Sequence, residues 1–87
     1  LALVAEALEE GGVLTGLARP QARAMVQALL AGTASLLADG TDPAALRQRV
    51  SSPGGATVEG VAVLERGSVR ARLADAVRAA AARAAEL

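Results

Sequence analysis

The sequence predicts an all-α domain of about five helices, and two observations carry that reading. Apolar residues recur at three- and four-residue spacing over long stretches, the period of one helix face. Between those stretches Gly and Pro fall at a few points and act as stops and starts.

Residues 1–10 read as the first helix, with Leu1, Val4 and Leu8 on one face and Gly11-Gly12 as its stop. No Ser, Thr, Asp or Asn precedes Leu1 as a cap. The chain is therefore expected to be a piece of a longer protein, cut inside or just before a helix. Residues 13–19 read as a connection holding Gly16 and Arg19. Pro20 suits the first turn of a second helix, where its missing N–H costs nothing. That helix is expected to run to about Ala38. Ala22, Met25, Val26, Leu29, Leu30, Thr33, Leu36 and Leu37 give it a broad apolar stripe. Gly32 lies inside it at a cost of about 1 kcal/mol relative to Ala, which suggests that another helix comes close there.

Asp39-Gly40 ends the second helix. Asp42 is the expected cap of a short third helix with Pro43 at its first position, carrying Leu46 and ending near Val50. Pro53, Gly54 and Gly55 keep residues 51–55 out of any helix interior. A fourth helix is expected from about Ala56 to Arg66, with Val58, Val61 and either Leu64 or Ala62 inward. Gly67 ends it, and Ser68 is read as the cap of a last helix running to Leu87. On that helix Val69, Leu73, Ala76, Val77, Ala80, Ala84 and Leu87 form one stripe. Asp75 can pair with Arg72 and Arg78, and Arg83 with Glu86, all at three-residue spacing. The Ala-rich opposite face fits either plain helix propensity or a second packed face.

Composition limits what the chain can do. Its 87 residues hold one domain at most. It has no aromatic residue, so the core is made of Leu, Val and Ala, with Met25 as the only sulfur. Apolar residues make up 53% of the chain, more than so small a fold can cover by itself, which favours an oligomer. Nine Arg balance nine acids, so bulk charge attracts neither nucleic acid nor an acidic membrane. Without Cys or His, thiolate chemistry, zinc sites and His general-base catalysis are excluded within the chain. No apolar run reaches the roughly 20 residues of a membrane span, and no signal peptide is visible. A cytoplasmic location is expected.

The segment Ser51 to Thr57 admits two readings. In one, Ser52 or Thr57 caps the fourth helix and the glycines supply unusual backbone angles. In the other, two glycines before a helix start leave N–H groups uncovered where the helix dipole is positive, a place for a carboxylate or phosphate. Ser52 and Thr57 hydroxyls add donors, and Pro53 stiffens the approach. The segment is not a P-loop, because the Gly-Lys-Ser/Thr ending is missing. Nor is it a dinucleotide fingerprint, because the Gly-x-Gly-x-x-Gly spacing is absent. Glu9 and Glu10 are adjacent, about 100° apart on a helix, and read as a solvated face. Arg70 and Arg72 read as surface or ion-pair residues.

The stretch Val50-Ser51-Ser52-Pro53-Gly54-Gly55-Ala56-Thr57-Val58 resembles the signature loop of pyrroline-5-carboxylate reductases. Leu64-Glu65 and residues 67–70 follow at that family's spacing. Glu6-Ala7-Leu8, Gly12-Val13, Gly16-Leu17, Gln27, Gly32, Pro43 and Leu46 are similar to its helices, and Arg83, Glu86 and Leu87 to its usual chain end. The chain departs from the family at Ala56, where many members have Thr, and at Ser68-Val69, where Gly and an aromatic residue are common.

The resemblance implies a fold, a reaction and a site. The fold is an interleaved homodimeric helical bundle like the C-terminal part of 6-phosphogluconate dehydrogenase. This chain is then the C-terminal dimerisation and substrate-binding domain, with an N-terminal Rossmann domain outside it. The reaction is the reduction of 1-pyrroline-5-carboxylate to proline with NADPH or NADH, bound mainly by that other domain. Ser52, Gly54, Gly55, Ala56 and Thr57 hold the substrate carboxylate, and Thr57 is the catalytic candidate that reaches the ring nitrogen. The partners implied are a second copy, or a larger assembly built from dimers, and the small-molecule substrate. Two rival expectations stand beside this one: a helical dimerisation module with no substrate role, and a reductase of a related cyclic imine.

Overall fold

The computed structural model describes residues 1–51 and 55–87. It contains five helices and, among the described residues, no strand: α1 (Ala2–Leu14), α2 (Arg19–Ala38), α3 (Pro43–Arg49), α4 (Ala56–Arg66) and α5 (Val69–Glu86). The all-α class and the order of its elements are as the sequence predicts. The chain forms two compact units, Leu1–Ala45 and Leu46–Leu87.

In the first unit α1 packs on α2. The expected stop at Gly11-Gly12 is not used, and α1 runs four residues further, to Leu14. Gly12 is instead the point of closest approach. A Cβ built on it would stand 3.0 Å from the Ala22 Cβ and 3.3 Å from Leu17 Cδ1. The helix ends one turn later. Gly16 takes φ +111°, its N–H donates to the Val13 carbonyl at 3.1 Å, and the Leu17 N–H donates to the Gly12 carbonyl at 3.0 Å. That pair of bonds is a Schellman motif, which satisfies carbonyls the helix leaves open. The Thr15 hydroxyl adds bonds to the Gly11 and Gly12 carbonyls at 3.1 and 3.0 Å. The same motif closes α2, where Gly40 has φ +94° and the N–H groups of Gly40 and Thr41 reach the carbonyls of Leu37 and Leu36.

Arg19, expected in the connection, is the first residue of α2, and Pro20 falls in its first turn. Only half of a capping box forms at this end. The Gln21 side chain accepts from the Ala18 N–H at 3.4 Å, while Ala18 has no side-chain acceptor to return. Of the α2 stripe, Ala22 and Val26 are buried, and they are the only buried residues among those described. Met25 and Leu29 remain more than half exposed, and with Leu8, Gly12 and Leu17 they line an apolar groove between α1 and α2. Within the first unit nothing lies within 4 Å of where a Gly32 Cβ would stand, so α1 does not make the close approach expected there. Asp42 caps α3 as expected, its carboxylate accepting from the Ala45 N–H at 3.0 Å.

In the second unit α4 and α5 touch. Val58, Val61 and Ala62 are the half-buried residues of α4, whereas Leu64 is exposed, so the inward face takes Ala62. On α5 only Val69 is half-buried, and every residue from Arg70 onward is exposed. The three local ion pairs expected on α5 form, Arg72–Asp75 at 3.4 Å, Arg78–Asp75 at 3.6 Å and Arg83–Glu86 at 2.9 Å. Each is exposed and contributes only about 0.3–0.5 kcal/mol.

Ser68 corrects a further expectation. It stands before α5, but its side chain makes no capping bond. Its backbone is left-handed, φ 59° and ψ 37°, and its N–H closes the end of α4 on the Glu65 carbonyl at 3.1 Å. One residue serves two helix ends, and the geometry that ends α4 turns the hydroxyl away from the cap role. A left-handed non-Gly residue costs about 1–2 kcal/mol. Ser68→Gly is therefore expected to raise the unfolding free energy by about 0.5–1 kcal/mol, since no cap bond is lost. Urea denaturation checks the sign.

Candidate functional site

The candidate site lies at the entry to α4, within the second unit. The chain leaves α3 through a tight local bond in which the Ser51 hydroxyl donates to the Arg47 carbonyl at 2.6 Å. The Val50 and Ser51 N–H groups continue the turn onto the Leu46 and Gln48 carbonyls at 3.3 and 3.2 Å. Arg47 and Arg49 in the last turn of α3 lie where the helix dipole favours positive charge. Ser52, Pro53 and Gly54, three members of the signature loop, lie outside the described residues.

Gly55 is the N-cap of α4, extended at φ −84° and ψ 165°, and no side chain among the described residues caps this end. Ala56, Thr57 and Val58 are therefore the first three residues inside the helix. Their N–H groups have no acceptor within it by position, and they carry the positive end of the dipole. Thr57 as a helix cap does not survive, because it lies two residues past the N-cap, inside the helix. Gly55, Ala56 and Thr57 thus stand together at one helix entry. Ala56 and Thr57 are exposed, and Gly55 and Val58 half-buried. Glu59 follows in the same first turn. Chemically this entry offers consecutive backbone donors and a threonine hydroxyl to an anion.

Sequence reasoning missed one charged cluster. Glu9 is not on a solvated face: its side chain is only 14% exposed and accepts from Arg23 Nε at 3.2 Å, with Arg19 at 4.0 Å. Glu10 pairs with Arg19 at 2.9 Å. The signal was the pair Arg19 and Arg23, one turn apart on α2, just across a short connection from two adjacent acids. Arg70, read as a surface or ion-pair residue, pairs with Glu65 at 2.7 Å across the α4–α5 junction. Among the described residues, no helix is long and apolar enough to cross a membrane.

Comparison with known proteins gives the family. The family model described as pyrroline-5-carboxylate reductase dimerisation matches residues 1–87. A pyrroline-5-carboxylate reductase of Neurospora crassa is 49% identical over 91% of this chain and 24% of its own length. That of Synechocystis is 46% identical over 100% of this chain and 33% of its own length. That of Arabidopsis thaliana is 45% identical over 98% of this chain and 31% of its own length. The chain thus spans about a quarter to a third of the curated relatives it matches. With its family model matched from Leu1 to Leu87, the chain belongs to the pyrroline-5-carboxylate reductase dimerisation family.

Proposed function

We propose that this chain is the C-terminal, dimer-forming and substrate-holding domain of a cytoplasmic pyrroline-5-carboxylate reductase, which reduces 1-pyrroline-5-carboxylate to L-proline. The observation that carries the reading is the entry to α4, where Ala56, Thr57 and Val58 present their N–H groups after an extended Gly55. A carboxylate bound there accepts charge-assisted hydrogen bonds, the stronger kind. Ser52 and Gly54 belong to the same loop in this reading, as further donors. With the carboxylate fixed, the ring lies over the first turn, and the Thr57 hydroxyl accepts the N–H of the protonated imine. That contact favours the electrophilic form and holds the ring in one orientation, which is what a transfer between two bound reactants requires.

The reduction also needs a hydride, which NADPH or NADH would supply when bound. The chain carries no dinucleotide fingerprint of its own. The sequence has no Gly-x-Gly-x-x-Gly, and the described residues contain no strand to lead into one. The nucleotide is assigned to a Rossmann domain in the remainder of the protein. The exposed stripes of α2 and α5, with Leu29 56%, Leu73 55% and Val77 70% exposed, suit burial against a second copy. The assembly is then a homodimer with interleaved helices, or a larger ring of such dimers.

The test uses the full-length protein. It is expected to oxidise NADPH only when pyrroline-5-carboxylate is supplied. Thr57→Ala is expected to lower kcat/KM about tenfold, the value of one hydrogen bond of about 1.4 kcal/mol, with the dimer unchanged by light scattering. Unaltered kinetics in that variant would remove the Thr57 hydroxyl from the site.

A further inference from the structure

We draw no further inference here: the strongest candidate, the apolar groove of about 210 Å³ that Leu8, Gly12, Leu17, Met25, Val26 and Leu29 line between α1 and α2, restates the self-association already carried by the family, and nothing in the structure shows which segment covers it.

Discussion

Gly12→Val is expected to cost the fold about 3 kcal/mol, and Gly12→Ala about 1–2 kcal/mol, although alanine is the better helix former. The Cβ that either change adds meets the Ala22 Cβ at 3.0 Å, Leu17 Cδ1 at 3.3 Å and the Ala22 Cα at 3.8 Å. The Leu17 methyl can turn aside. Ala22 cannot, because its Cβ is fixed to the α2 backbone and is only 2% exposed. Relief therefore requires α1 and α2 to separate, which opens the contact around Ala22 and Val26. The propensity gain of about 1 kcal/mol for Gly→Ala offsets only part of that. Gly11 is the control. It lies about 100° round the helix from Gly12, and a Cβ there meets nothing within 4 Å. Gly11→Ala should therefore stabilise by about 0.5–1 kcal/mol. Thermal unfolding at one fixed protein concentration separates the two signs. Equal shifts from the two alanine variants would contradict the packing of α1 on α2.

That pair of glycines shows where the sequence was legible and where it was not. Several features set by neighbours in the chain could be read. Pro20 and Pro43 mark helix entries, Asp42 caps α3, and Asp75 and Glu86 find the arginines three residues away. Gly11-Gly12 reads as a stop by the same local logic, since most glycine pairs at a helix end are one. What overrides it is Ala22, ten residues on, whose approach needs a missing side chain. Glu9 fails to read as an ion-pair residue for the same reason, because its partner Arg23 lies on the next helix. Ser68 fails differently. Ending α4 and starting α5 ask one residue for two conformations, and the left-handed turn wins. At the candidate site, the residues alone show a helix entry able to hold an anion. The proposal that this anion is a ring carboxylate rests on family membership. The structure supplies the positions of Gly55, Ala56 and Thr57, and with them a way to test the donors one at a time.

Ala56→Pro, made in the full-length enzyme, is expected to raise KM for pyrroline-5-carboxylate about 10- to 100-fold with little change in thermal stability. The substitution removes one backbone N–H and almost nothing else. Ala56 is the first residue of α4, the position where proline is best tolerated because its φ is already helical and its N–H has no intrahelical acceptor. Proline also restricts the residue before it to extended conformations, and Gly55 already has φ −84° and ψ 165°. A hydrogen bond to a charged group contributes about 1.5–3 kcal/mol, which sets the expected range of KM. Ala56→Ser keeps the amide and should leave KM within about threefold, a change below 1 kcal/mol. In the proposed site the Thr57 hydroxyl acts on the ring nitrogen, so its loss in Thr57→Ala should appear more in kcat than in KM. In the same proposal the Ala56 amide holds the carboxylate in bound substrate and transition state alike, so its loss in Ala56→Pro should appear in KM. A stable Ala56→Pro enzyme with unchanged KM would remove the amide from the site, whatever Thr57→Ala does. Loss of stability with unchanged KM would mean that α4 begins elsewhere than at Ala56. Only the combination of intact stability, raised KM and a silent Ala56→Ser assigns the carboxylate to the backbone of this helix entry.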